Sequence, residues 1–328
     1  MFPYVQFGTG CFGLLLLLTT AASAQEPVTA VNSTPLASAE AEPSRPASSP
    51  LEAQVELHRR GFSCGSIDGV MGPQTAAALG AFQRRTGLRE TGALDAATSD
   101  QLRLTASALT THTITQEELT ALAPIPPTWL EKSQRPALPY ATALESVSER
   151  YRASPRLVQR LNPTVYWENI SPGTVVTVPA ANRVTFNANA AQVVIRLQAR
   201  TLEALDAAGA VVAQFPVSIA RKVEKRPSGE LCTTVVILDP NYTFDPEVYP
   251  ESAEAKQLGR KLVVPPGPNN PVGRAWIGLN LPGYGIHGTP DPEKVGRTES
   301  HGCFRLANWD AVALVSLISV GIVVRVEP

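Results

Sequence analysis

Twenty-nine prolines are spread through the 328 residues. Proline removes a backbone donor and clashes with the preceding helical turn, so the chain favours loops and short strands over a helical body. The C-terminal stretch agrees. QVVIRL, VVAQFPVSIA, TTVVILD, RAWIGLNL and VGIVVRVEP are short apolar runs rich in β-branched residues, and such runs between turn signals read as strands. The turn DAAG at 206–209 makes QVVIRL and VVAQFPVSIA an expected hairpin. Asn308 to Ser319 reads as a helix, with Trp309, Val312, Leu314, Val315 and Ile318 available for core contacts. Residues 191–328 are therefore expected to form a mostly-β domain.

The region before it divides into segments. CFGLLLLL at 11–18 is too short to span a bilayer comfortably, and Ala22-Ser23-Ala24 supplies a small-x-small cleavage site. Residues 1–24 are thus expected to be an export signal. Residues 25–50, rich in Ala, Pro, Ser and Glu, are expected to be a disordered linker. In 51–106, Leu51, Val55 and Leu57 mark a helix stopping at Gly61. Pro73 opens a second helix with Ala77, Leu79 and Phe82, closed by Gly87, and Leu94 to Leu104 forms a third. This bundle has no nucleophile or acid–base pair and reads as a binding module, with a structural cap as the competing reading. Residues 107–139 are expected to be linker. Residues 140–180 combine a helical pattern (Leu144, Val147, Tyr151, Leu157, Leu161), interrupted by Pro155, with the turn and strand SPGTVVTVPA.

A formal net charge of −1 and no basic block argue against nucleic acid as partner, since phosphate neutralisation needs clustered Lys and Arg. Three cysteines follow the export segment: Cys64, Cys232 and Cys303. Their number leaves at least one thiol free; a Cys64–Cys232 bridge and two unpaired buried thiols both remain open. No feature demands more than a monomer.

Chemistry concentrates in GYGIHGTPDPEKVGRTESHGCFRL, 283–306. Cys303 is the expected nucleophile, and a thiol needs a base or nearby positive charge to form thiolate at neutral pH. His287, after the apolar YGI, is the favoured base, with His301 the other candidate; the one not used would organise the loop or position substrate. Gly285, Gly288 and Gly302 are expected to adopt backbone conformations closed to residues with a Cβ and so aim N–H groups at one point. The N–H groups around Gly302 and Cys303 are the expected oxyanion donors. Arg305 is an expected anchor for a substrate carboxylate or for the loop, and Ser300 and Thr289 carry hydroxyls without an evident activating partner. Zinc held by the cysteine and two histidines is a competing class, although HExxH is absent. A wall-binding protein with a silent site is another.

IHGT at 286–289, SHGCFRLANWDAVAL at 300–314 and VVPPGPNNPVGRAWIGL at 263–279 resemble the L,D-transpeptidase catalytic domain of bacterial cell-wall enzymes, over roughly 190–327. The resemblance implies a mostly-β fold and a cysteine acyl-enzyme mechanism with no metal or cofactor. It implies that Cys303 attacks the meso-diaminopimelate–D-Ala bond of a peptidoglycan tetrapeptide stem. An amine then resolves the thioester: a second stem, giving a 3→3 cross-link, a D-amino acid, or a lysine of an envelope lipoprotein. His287 matches the family base, supported by a carbonyl at the Gly288 position, while His301, Gly302 and Arg305 match residues shaping the oxyanion and substrate pocket. Phe304 stands where a smaller aliphatic residue is usual, and a packing effect is expected there. Hydrolysis of the same acyl-enzyme, an L,D-carboxypeptidase, is the alternative.

GFSCGSIDGVMGPQTAAALGAFQRRTGLRETGALD at 61–95 resembles a three-helix peptidoglycan-binding domain, and ERYRASPRLVQRLNP with SPGTVVTVP resembles the second half of a LysM module. The expected architecture is therefore multidomain: a mostly-β catalytic domain preceded by a three-helix wall-binding domain and a small α/β linker domain. A binding module tethered to the catalytic domain would raise local substrate concentration. Such a substrate, peptidoglycan stem peptides and glycan, places the expected working site in the periplasm.

Overall fold

The computed structural model describes residues 44–328, apart from 182, 183, 185, 187, 250, 251 and 299–301. The expected export segment lies outside the described residues. Order begins earlier than the sequence suggests: β1 (Arg45–Pro46) precedes α1 (Pro50–Arg59), Ala47 is buried, and the Ser49 hydroxyl caps the helix by accepting from Glu52 N. Helix α2 (Pro73–Thr86) starts on its proline and ends at left-handed Gly87. Helix α3 (Ala96–Gln101) is shorter than the expected 94–104, because the chain leaves it to form β2 (Arg103–Leu104), which pairs antiparallel with β1. Val55, Leu57, Leu79 and Leu102 are buried between these elements, with Phe62 edge-on to Phe82 at 5.7 Å.

Residues 107–139 are not a bare linker. They contain β3 (Leu109–Thr113), α4 (Gln116–Thr120) and α5 (Trp129–Ser133), and both helices open with a Thr/Glu capping box. Helices α6 (Ala143–Arg150) and α7 (Pro155–Leu161) follow, so Pro155 opens a helix rather than interrupting one. Then β4 (Val175–Pro179) pairs antiparallel with β3. Strand β3 was not expected, because LTTHT has a single large apolar residue and leaves no alternation to detect.

The C-terminal domain contains β5 (Gln192–Arg196), β6 (Thr201–Leu205), β7 (Val211–Pro216), β8 (Gly229–Leu238), β9 (Tyr242–Phe244), α8 (Ala253–Leu258), β10 (Leu262–Val264), β11 (Ala275–Leu279), β12 (Gly285–His287), β13 (Phe304–Arg305), α9 (Asn308–Val315) and β14 (Val323–Glu327). Among the described residues one sheet has the order β13-β12-β11-β8-β14-β5-β6-β7. The expected two-strand hairpin is three strands, because TLEAL, a sequence of helix formers, supplies β6. Tertiary pairing overrides that local preference. Helix α9 lies on one face of the sheet, where Ala311 and Leu314 share a core with Ile277, Ile286 and the fully buried Phe304. The β9–β10 hairpin has its own small core. There Trp129 of α5 stacks on Phe244 at 4.5 Å, beside buried Leu138 and Val264.

The N-terminal module is docked rather than merely tethered. Gln214 of β7 donates to Gly61 O at 3.0 Å and accepts from Ser63 N at 2.8 Å, so the module extends the sheet beyond its edge strand. This occupies backbone groups that an open edge would leave free to pair elsewhere. Gly61 has φ +85°, and a Cβ there would meet the Phe186 ring at 2.8 Å, so the turn needs glycine. Cys64 is buried and Cys232 half-buried, each as an unbridged thiol, so the Cys64–Cys232 bridge is not made.

The junction buries charge. Ser63 Oγ donates to Asp310 Oδ2 at 2.9 Å. Burial pushes the Asp310 carboxyl up to about 7, against the opposing pull of Arg152 and the Ser63 hydrogen bond. A folded-state pKa above the unfolded value makes stability fall as pH rises from about 4 to about 7. Burial raises Glu149 to about 7 in the same sense, while His58 (about 3) and His287 (about 4), also lowered by burial, act oppositely over an overlapping range. The expected result therefore concerns a difference. In urea unfolding, the stability of Asp310→Asn relative to wild type should rise between pH 4 and 7.5; a constant difference would show that Asp310 does not titrate in that window.

Candidate active site

Strands β12 and β13 run parallel, pairing Ile286 with Phe304 and His287 with Arg305. Ile286 and Phe304 point into the core. Because side chains alternate across a strand, His287, Arg305 and Cys303 share the opposite face. Cys303 sits one residue before β13, diagonal to His287. Across the sheet, Trp276 of β11 pairs with His287 and stacks on its ring at 5.7 Å and 24°. Ile237 of β8 pairs with Trp276 in turn and is exposed. This face borders a cavity of about 520 Å³ lined by Ile237, Asp239, Tyr242, Thr243, Val272 and Trp276.

The backbone orients the imidazole. His287 Nδ1 lies 2.6 Å from Gly288 O. A carbonyl only accepts, so Nδ1 carries the hydrogen and Nε2 is left as the basic nitrogen. Burial lowers the His287 pKa to about 4, assisted by Arg305 and opposed by the Gly288 bond. Burial also pushes the Cys303 thiol up, outweighing the pull of a backbone hydrogen bond from Gly285 and of Arg305. Sγ lies 3.5 Å from Gly283 O. At neutral pH the free protein thus holds a neutral thiol and a neutral imidazole, with Nε2 able to take a proton.

The other expected residues divide. Arg305 is half-buried, bonded through its backbone to Ser218 (N to O 3.0 Å, O from N 2.9 Å), and no carboxylate among the described residues pairs with it. Thr289 Oγ1 accepts from Asp291 N at 3.3 Å. Ser300 and His301 lie outside the described residues. Gly285, Gly288 and Gly302 are not glycines for the expected reason, since none has positive φ. Gly285 makes room for the Trp276 indole, 2.7 Å from where its Cβ would stand; Gly288 makes room for the Asn308 side chain; Gly302 meets only ordinary contact with Tyr284. No group of three His, Cys, Asp or Glu side chains among the described residues could hold a metal.

Four residues escaped sequence reasoning. Trp276 was legible in principle, because WIGL alternates an aromatic with a buried Ile277. Tyr242 lies close enough to Cys303 for the two to interact electrostatically. Asn308 stood in the Asn-x-Asp tail without a role, and Glu149 lay in another module.

Residues 190–326 match the family described as "L,D-transpeptidase catalytic domain", and residues 47–102 match "Putative peptidoglycan binding domain". A Bacillus licheniformis protein named "Putative L,D-transpeptidase YkuD" is 24% identical over 185 residues, covering 56% of this chain and 93% of that protein. "Putative L,D-transpeptidase YqjB" of Bacillus subtilis strain 168 is 32% identical over 112 residues, covering 33% of this chain and 54% of its own length. Among solved structures, an L,D-transpeptidase from Mycobacterium smegmatis is 21% identical, covering 47% of this chain and 66% of that one at a TM-score of 0.33.

A neutral thiol–imidazole pair has a kinetic signature. The rate of Cys303 alkylation by iodoacetamide, followed by peptide mass spectrometry, should climb past pH 8.5, and Arg305→Gln should move the climb to higher pH. A rate flat between pH 6 and 8 would instead reveal a preformed thiolate–imidazolium pair.

Proposed function

We propose that this chain, whose residues 190–326 match an L,D-transpeptidase catalytic domain and residues 47–102 a peptidoglycan-binding domain, is a cysteine-dependent enzyme of peptidoglycan with a specific reaction. Cys303 attacks the carbonyl carbon of the meso-diaminopimelate–D-Ala bond in a tetrapeptide stem. His287 Nε2 takes the thiol proton and passes it to the leaving D-Ala amine. An amine acceptor then attacks the thioester, His287 removes its proton, and the thiol is restored. The observation that carries this reading is the imidazole fixed through Nδ1 on Gly288 O, on the same sheet face as Cys303. The base lies on β12 and the nucleophile one residue before β13, so the pairing of these strands helps hold their relative position.

Other residues take supporting roles in this reading. The Gly302 and Cys303 N–H groups receive the oxyanion, and Gly288 orients the base. Arg305 serves twice, favouring the thiolate and meeting a stem carboxylate on the same face. Ser300 and His301 shape the pocket around the stem. Trp276 and Tyr242 form an apolar wall that keeps water from the thioester, which favours an amine acceptor over hydrolysis. The acceptor is a second stem, a D-amino acid or a lipoprotein lysine. The working location is the periplasm, with residues 1–24 as export signal. The β3-α6-α7-β4 arrangement supports a LysM-like identity for the middle segment, with α4 and α5 inserted after its first strand.

Intact-protein mass spectrometry with a disaccharide-tetrapeptide, with and without a second stem, tests the reaction. A Cys303-linked adduct lacking D-Ala, together with dimeric muropeptide, is the expected result. Tripeptide alone would convert the reading to a carboxypeptidase, and no adduct and no D-Ala would overturn it. Cys303→Ala should abolish turnover while leaving binding to purified sacculi intact. His287→Ala should cost about 10²–10⁴-fold in rate, and far more than His301→Gln; the reverse ranking would reassign the base.

A further inference from the structure

We infer that Asn308 and Glu149, from different modules, act together as positioning residues for the Gly288 carbonyl on which His287 is oriented. The inference rests on the reading of His287 as base and extends the site into the middle segment.

Asn308 opens α9 and is 1% exposed. Its Oδ1 accepts from Arg274 N at 3.0 Å, just before β11. Its Nδ2 faces Pro268 O at 3.1 Å and both carboxylate oxygens of Glu149 at 3.1 Å. The amide is therefore bonded at both ends between the β11 entry and α6. It also lies hard against two glycines: a Cβ on Gly273 or on Gly288 would collide with Asn308 Oδ1.

The peptide units around His287 explain why this matters. His287 O accepts from Leu306 N at 2.8 Å, and Gly288 N donates to Ala275 O at 3.1 Å, so the unit between them is fixed by strand pairing. The next unit, which contains the Gly288 carbonyl, lies beyond the ladder. Glycine imposes little torsional preference of its own. What stands against rotation there is the Gly273–Arg274 backbone and the Asn308 amide, both packed on the Gly288 backbone, with Asn308 also holding Arg274 N. If that carbonyl turned away, Nδ1 would lose its acceptor and the imidazole its orientation and tautomer.

The position demands an amide. Arg274 N needs an acceptor, while Pro268 O and Glu149 need a donor. Asp supplies no donor and would place a second carboxylate against Glu149; Leu supplies neither function. Glu149 is itself held by Tyr140, whose hydroxyl donates to Oε1 at 2.9 Å. A buried carboxylate without its donors is costly, so Glu149 and Asn308 stabilise one another. Glu149 belongs to α6, and the middle segment thereby reaches the base through a single intervening side chain.

The test compares Asn308→Ala, Glu149→Ala, Glu149→Gln and, as a docking control away from the site, Ser63→Ala. Two quantities are measured: D-Ala release from a tetrapeptide stem and the rate of Cys303 alkylation at pH 7.5. Both alanine variants at Asn308 and Glu149 should lose roughly 10- to 100-fold in kcat, the scale of a small misplacement of a catalytic group, with KM within about twofold. Alkylation should slow in parallel. Glu149→Gln, which keeps an acceptor for Asn308, should retain most of the wild-type rate, and Ser63→Ala should lower stability without lowering kcat. Folded Asn308→Ala with unchanged kcat would overturn the inference. So would equal losses in Glu149→Ala and Glu149→Gln, or a loss in Ser63→Ala as large as in Glu149→Ala. Should Asn308→Ala not fold, the Glu149 pair decides. A wild-type protein that releases no D-Ala refutes the proposed reaction, while alkylation still tests the positioning.

Discussion

The site depends on the pairing of two very short strands. Strand β13 has two residues and lies parallel to β12, with Cys303 one residue before it and His287 at the end of its neighbour. Parallel neighbours require a crossover, and here it runs through 288–303. Ordering the described part of it, 288–298, costs more than two ladder positions supply. The balance comes from anchors outside the ladder. Ser218 pairs with the far side of Arg305 and accepts at Oγ from Gly296 N at 2.9 Å. Arg200 donates to Gly296 O at 3.0 Å, and Gln74, from the N-terminal module, donates to Val295 O at 2.6 Å. The crossover between His287 and Cys303 is thus held partly by the N-terminal module.

Electrostatics follow from the same geometry. A histidine buried deeply enough to be shielded from solvent loses its charged form, and a buried thiol loses its thiolate. Both effects oppose an ion pair, and Arg305 enters each with a different consequence. Beside His287 it further disfavours the imidazolium; beside Cys303 it favours the thiolate. In the proposed reaction, one cation would keep His287 available for a proton and ease that proton's departure from Cys303, with transfer during attack rather than before it.

The parts of this organisation that were legible in the sequence are those in which local chemistry and structure coincide. Cys303 and His287 stood out because reactive side chains, glycines and turn formers crowd one stretch that no core would tolerate. The proline and glycine bounds of α2 were legible because helix ends satisfy their orphan groups locally. Strands β3 and β6 were not, since LTTHT has no alternation and TLEAL carries helix-forming residues; only partners far along the chain make them strands. The glycines of the site were noticed for the wrong property. Their φ values are ordinary, and Gly285 and Gly288 instead admit the Trp276 ring and the Asn308 amide, neighbours that no single-chain pattern reveals. Glu149 had no signal at all, because its role exists only once α6 is docked.

Docking changes what a wall-binding module contributes. A flexible tether raises the local concentration of substrate and leaves its orientation free. Here the N-terminal module continues the sheet through Gly61 and Ser63, meets α9 through Asp310, and contacts the crossover through Gln74, while the middle segment reaches Asn308 through Glu149. In the proposed reaction, a glycan strand seated on such a body would be presented to Cys303 in a fixed orientation as well as at raised concentration. Reach is exchanged for geometry, and geometry is what a reaction requires when its nucleophile must lose a proton in the act of attack.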